Sequence, residues 1–169
     1  MNRKALHRLT LAGLLTAVAV VGSLFSFPVL GAKCAPVQHM VNVTAGVLLG
    51  PAGAVGVAFA ASLLRNLTGL GSILAFPGSM IGALLCGVAW RLSHRLSAAW
   101  AGEVFGTGIL GALAAYPMAA FLMNNSAAAL FTFVPSFLAS TVIGSAVSVG
   151  VLTTLSRTGT FGRLEGALK

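Results

Sequence analysis

The chain has 169 residues, of which 57% are hydrophobic and only 7% charged, with a mean hydropathy of +0.99. Soluble domains carry about a quarter of their residues charged, so a water-soluble fold is excluded and the solvent is lipid. The net charge of +8 does not point to nucleic acid, because the basic residues fall in short clusters between apolar runs, where topology anchors belong.

The apolar runs are continuous rather than alternating, which favours helices over a barrel. The expectation is an all-α, multi-pass cell-membrane protein, one domain over residues 1–169. It is a bundle of six transmembrane helices with both termini cytoplasmic. The first helix covers about residues 5–25. Arg3, Lys4 and Arg8 precede it in the manner of a signal anchor, but Leu30 and Lys33 spoil the cleavage patterns, so the helix is read as retained. Ser26 to Pro36 forms the first loop. Gly50-Pro51 interrupts the next apolar run, giving two short helices at about 37–50 and 52–64. Charge parity supports two: with them, Arg65 shares a side with Lys33 and every later basic cluster shares a side with the N-terminus.

The apolar, Gly- and Pro-containing stretch from Arg65 to Ser79 reads as a lid or plug. A fourth helix follows at about 79–92, ending in the basic turn Arg91 to Arg95, with Trp90 and Trp100 as interfacial aromatics. A fifth occupies about 98–123 and contains Glu103. Asn124-Asn125-Ser126 is a turn. The sixth covers about 127–155, with a kink at Pro135. Arg3, Lys4, Arg8, Arg91, Arg95, Arg157, Arg163 and Lys169 then lie inside, and only Lys33 and Arg65 lie outside.

Polar residues in hydrocarbon are costly, so several of them at one depth suggest a site. Lys33, Gln38, His39, Arg65, Asn66, Ser79 and Tyr116 fall in the outer third, with Asn42 one turn deeper. Gln38 and Asn42 are four apart and share a helix face. Amides, an imidazole and a phenol suit a neutral or weakly polar ring compound. Glu103 is the only acid in the spans and is expected nearer the inner side, in a structural pair or against a partner protein. Cys34 and Cys86 form no metal spacing, and no metal or cofactor is expected. A Cys34–His39 nucleophile pair has no third group to orient it. No phosphate-binding loop is present, so any ATP-driven transport needs a partner. A binding protein rather than an enzyme is expected.

Several stretches resemble the ThiW family: residues 31–42 (Gly-Ala-Lys-Cys-Ala-Pro-Val-Gln-His-Met-Val-Asn), 45–51, Ser62 to Asn66, Leu74 to Ala83 and Gly102 to Gly108. The likeness covers roughly Leu9 to Leu155. ThiW proteins are S components of energy-coupling-factor transporters for the thiazole precursor of thiamine. The resemblance implies a six-helix S component that captures hydroxyethylthiazole, with Phe76 or Tyr116 packed on its ring, and docks on a transmembrane coupling protein with two ATP-binding cassette ATPases. It implies docking through small residues of the first helix, here Ala12, Gly13, Thr16 and Ala17, although the family's Ala-x-x-x-Ala form is not kept. The alternatives are an S component for another vitamin precursor, such as the pyrimidine moiety of thiamine, and a small membrane enzyme built on Cys34 and His39.

Overall fold

A computed structural model of the chain describes residues 2–29, 32–124 and 129–168. Gly31, the Asn125-Ser126 part of the expected turn, the expected helix start at residues 127 and 128, and Lys169 lie outside the described residues. The elements are α1 (Arg3–Gly22), the strands β1 (Phe27–Val29) and β2 (Ala32–Cys34), and α2 (Pro36–Leu67). Then come α3 (Ala75–Ser93), α4 (Leu96–Leu122), α5 (Val134–Arg157) and the short α6 (Thr160–Leu168). Five segments are long and apolar enough to cross a membrane: Arg3–Phe25, Pro36–Leu67, Ala75–Ser93, Leu96–Leu122 and Val134–Arg157. The chain is an all-α, multi-pass membrane protein.

α2 is not one rod. Gly50 has φ 77° and ψ 178°, a backbone region essentially restricted to glycine, and Pro51 opens the helix that follows, where its missing N–H is harmless. A continuous helix would hold Gln38 and Arg65 about 40 Å apart. Instead Arg65 Nη1 donates to Gln38 Oε1 at 3.1 Å, so limbs 36–49 and 51–67 fold back on each other. Arg8 Nη2 of α1 donates to Leu49 O at 2.7 Å, satisfying a carbonyl that the break leaves without its helical partner. The chain ends also meet, with His7 Nδ1 3.3 Å from Ala167 O. The first limb is the centre of the bundle. Val41, Ala45, Leu48 and Leu49 pack on Ala54, Val57, Ala58 and Ala61 of the second limb, on Ala83 of α3 and on Leu15 and Ala19 of α1.

Helix α4 packs on α3 through glycines. A methyl group on Gly111 would overlap Gly78 Cα, and one on Gly106 would stand 2.7 Å from Gly82 Cα. Small residues let membrane helices approach backbone to backbone. α4 also widens into π-helical turns at Gly106–Gly111 and Met118–Leu122. The second follows Pro117, which cannot donate to the helical ladder.

Several expected boundaries move. α3 begins at Ala75 rather than 79, with Pro77 inside its first turn, a position that tolerates proline. The loop before it therefore shrinks to residues 68–74. Pro135 does not kink a helix begun earlier; it sits in the first turn of α5. The first loop contains a small hairpin pairing Phe27 with Cys34 and Pro28 with Lys33. The expected set lacked α6, whose Phe161 stands edge-on to Trp90 and whose Leu168 is buried.

These contacts set expected stabilities in detergent. Gly50→Ala should cost about 1–3 kcal/mol from backbone strain. Gly82→Ala should cost about 1–3 kcal/mol from overpacking, since its methyl would overlap Thr107 Oγ1. Gly150 has open space around its Cβ position, so Gly150→Ala should gain up to about 1 kcal/mol from helix propensity. Thermal unfolding of the three variants checks the order.

Candidate functional site

A cavity opens at the end of the bundle away from Gly50, enclosing about 360 Å³ with its mouth included. Its polar lining is Lys33, Gln38, His39, Arg65, Ser79, Thr107 and Ser140, and its aromatic wall is Phe137. The hairpin supplies Lys33. Strand alternation turns Cys34 inward, 1% exposed, and leaves Lys33 outward at the rim. Ala35 N donates to Ser140 Oγ of α5 at 2.9 Å, which fixes the start of α2 against α5.

The cavity floor is a hydrogen-bonded relay of buried side chains. Arg65 Nη1 donates to Gln38 Oε1 at 3.1 Å, and Gln38 Nε2 donates to Asn42 Oδ1 at 3.1 Å. Asn42 Nδ2 then donates to Ser79 O at 3.1 Å and to Glu103 Oε1 at 2.9 Å. The same Oε1 lies 2.9 Å from His39 Nδ1 and accepts from Thr107 Oγ1 at 3.0 Å. The contact with Glu103 occupies His39 Nδ1 and leaves Nε2 as the ring nitrogen with no partner among the described residues. A guanidinium at one end of the relay and a carboxylate at the other polarise the two amides in series.

The loop 68–74, which lines the recess adjoining the cavity through Ser72 and Leu74, is tied down. Lys33 Nζ donates to Leu70 O at 3.2 Å, Gly71 N to Arg65 O at 2.7 Å, and Asn66 Nδ2 to Ser72 O at 3.1 Å. Behind it, Ser62 Oγ and Ser79 Oγ lie 2.9 Å apart.

Of the eight residues expected at a site, the cavity gathers Lys33, Gln38, His39, Arg65 and Ser79. Asn42 lies directly beneath, fully buried. Asn66 holds the loop and does not line the cavity. Tyr116 is half-buried and is not in the lining. Phe76 is turned toward Phe59, with ring centroids 5.9 Å apart. The aromatic wall is Phe137 instead.

Glu103 is paired within the bundle as expected, but at the cavity floor. Glu103 lies early in α4, near the Gly50 end, and the site residues of α2 come down to its level because limb 36–49 rises only about 21 Å while α4 rises about 40 Å. The outer end of the central limb therefore meets α4 at Glu103, well below the top of α4. Phe137, Thr107 and Ser140 were not anticipated. Gly102, Gly106, Gly108 and Gly111 around Thr107 were the one available signal, because such a run marks close helix approach. Of the docking residues, Gly13 and Ala17 face outward, Ala12 packs against the core, and Thr16 is turned inward with Oγ1 on Ala12 O at 2.8 Å. Among the described residues Cys34 has no bond to His39, and no cluster of His, Cys, Asp or Glu suits a metal.

Asn42→Ala strands Gln38 Nε2 and removes a donor from Glu103, so it should cost about 2–4 kcal/mol. Thr141 Oγ1 is buried with no partner among the described residues, so Thr141→Val should be neutral or stabilising. Thermal unfolding in detergent separates the two.

The family model described as "Thiamine-precursor transporter protein (ThiW)" matches residues 9–158. No curated protein and no solved structure matches the chain. With most of its length covered, this multi-pass membrane protein belongs to the ThiW family of thiamine-precursor transporters.

Proposed function

We propose that the chain is the substrate-capture S component of an energy-coupling-factor transporter and that it binds hydroxyethylthiazole from the outer face. The family match limits the substrate to a thiamine precursor. The observation that carries the thiazole reading is the small cavity with Phe137 on one wall and the free Nε2 of His39 near its floor. The ring lies against Phe137. The hydroxyl is bonded at His39 Nε2, and Arg65 donates to the ring nitrogen.

Topology follows the basic residues. The end carrying Arg8, Arg91 and His94 also holds the Gly50 turn and is placed in the cytoplasm with both termini, leaving Lys33 and Arg65 outside. The outward stripe containing Gly13 and Ala17 on α1 is the docking face for the coupling protein, which brings two ATPases. The protein acts by binding and release. A catalytic role for Cys34 finds no support in its burial or in the Nδ1 bond that His39 makes to Glu103.

Titration calorimetry of the purified protein should show saturable one-to-one binding of hydroxyethylthiazole, with the hydroxymethylpyrimidine moiety failing to compete. His39→Ala should weaken binding about tenfold, the loss of one ligand hydrogen bond. Binding of the pyrimidine in place of the thiazole would move the chain to the alternative S-component reading.

A further inference from the structure

The cavity carries more positive charge than the protein itself balances. The whole chain has two acidic residues, Glu103 and Glu165. Glu165 lines a separate cavity at the Gly50 end, together with Arg8 and Arg91. Glu103 takes its bonds from His39, Asn42 and Thr107 and makes no ion pair with Lys33 or Arg65 among the described residues. Yet Lys33 and Arg65 both line the cavity, and both line an adjoining recess beside Ser72 and Phe137. Arg65 is only 3% exposed. Its Nη1 is used by Gln38, while its Nε has no partner among the described residues. A buried charge with unsatisfied donors is costly unless something pairs with it.

Glu103 offsets one of the two cations through the Gln38–Asn42 relay. The other has no counterpart. The groups left over at the mouth are donors: the remaining N–H groups of Lys33 and of the Arg65 fork. The positive end of the α2 dipole opens on the same space, through Ala35, Gln38 and His39.

We infer that the site is built for a thiazole whose side arm carries an oxyanion, a carboxylate or a phosphate ester, seated between Lys33 and Arg65. This rests on the thiazole reading above and narrows it from a neutral alcohol to an anionic form. The arm takes charge-assisted bonds from the two cations, while the ring keeps its place against Phe137.

The test compares hydroxyethylthiazole with its phosphate monoester by calorimetry, on the full chain in nanodiscs of phosphatidylcholine and again with added phosphatidylglycerol. The ester should bind at least tenfold more tightly than the alcohol in both bilayers. Lys33→Gln, an exposed position that leaves the buried relay intact, should shrink that ratio several-fold. If the alcohol binds as tightly as the ester, or Lys33→Gln leaves the ratio unchanged, the anionic-arm inference falls and the thiazole reading stands. A preference that vanishes with phosphatidylglycerol gives the two cations to lipid head groups and overturns the inference as well. If neither compound binds, both readings fall together.

Discussion

One oxygen of a fully buried carboxylate holds the centre of this protein together. Glu103 Oε1 takes bonds from His39 and Asn42 on α2 and from Thr107 on α4. An isolated carboxylate in hydrocarbon would be prohibitive. Three donors and a guanidinium two amides away make it tolerable, and in return it fixes where four side chains point. The His39 ring, both amides and Arg65 are all linked through bonds that run back to that single oxygen. The polar floor of the cavity is thus one connected unit rather than a set of separate contacts.

The unit can exist only because α3 and α4 almost touch. Glu103 reaches α2 across Gly82, where an added methyl group would stand 2.7 Å from Glu103 Oε2. Thr107 Oγ1, whose single proton is shared between two acceptors, lies 3.1 Å from Gly78 O as well as 3.0 Å from Glu103 Oε1, beside the Gly78–Gly111 contact. The glycines that look like packing filler in the sequence are what allow a side chain from one helix to reach past a second to a third. The same closeness lets Phe137 of α5 pack at Gly78, whose added methyl would stand 2.9 Å from the ring. Ring wall and polar floor are thereby brought to one place.

Much of this was legible before any coordinates. Gln38, His39, Asn42, Arg65 and Ser79 stood out because amides, imidazoles and guanidinium groups need a reason to lie in lipid. Gly50-Pro51 announced a break through its own chemistry. What could not be read was depth. Nothing in the residues of limb 36–49 states that it lies at the bundle centre and stops short of the top of α4, so nothing placed His39 and Asn42 at the level of Glu103. Phe137, Thr107 and Ser140 carry no signal of their own, since phenylalanines and hydroxyl residues are ordinary in membrane helices and only the packing selects these three. Pro77 and Pro135 misled for a related reason: a proline that opens a helix and one that breaks it are the same residue, and the neighbours that decide come from other elements.

The shortness of the central limb also bears on transport distance. His39 lies eleven residues from the Gly50 turn, so no more than about 16 Å of helix separates a ligand at that ring from the opposite end of the bundle. A full hydrocarbon span is about 30 Å. On the proposed capture reading, a ligand held on the relay therefore lies within about half the membrane's thickness of the Gly50 end. The Gly50 turn and the Arg8 side chain bonded to Leu49 O stand at that end.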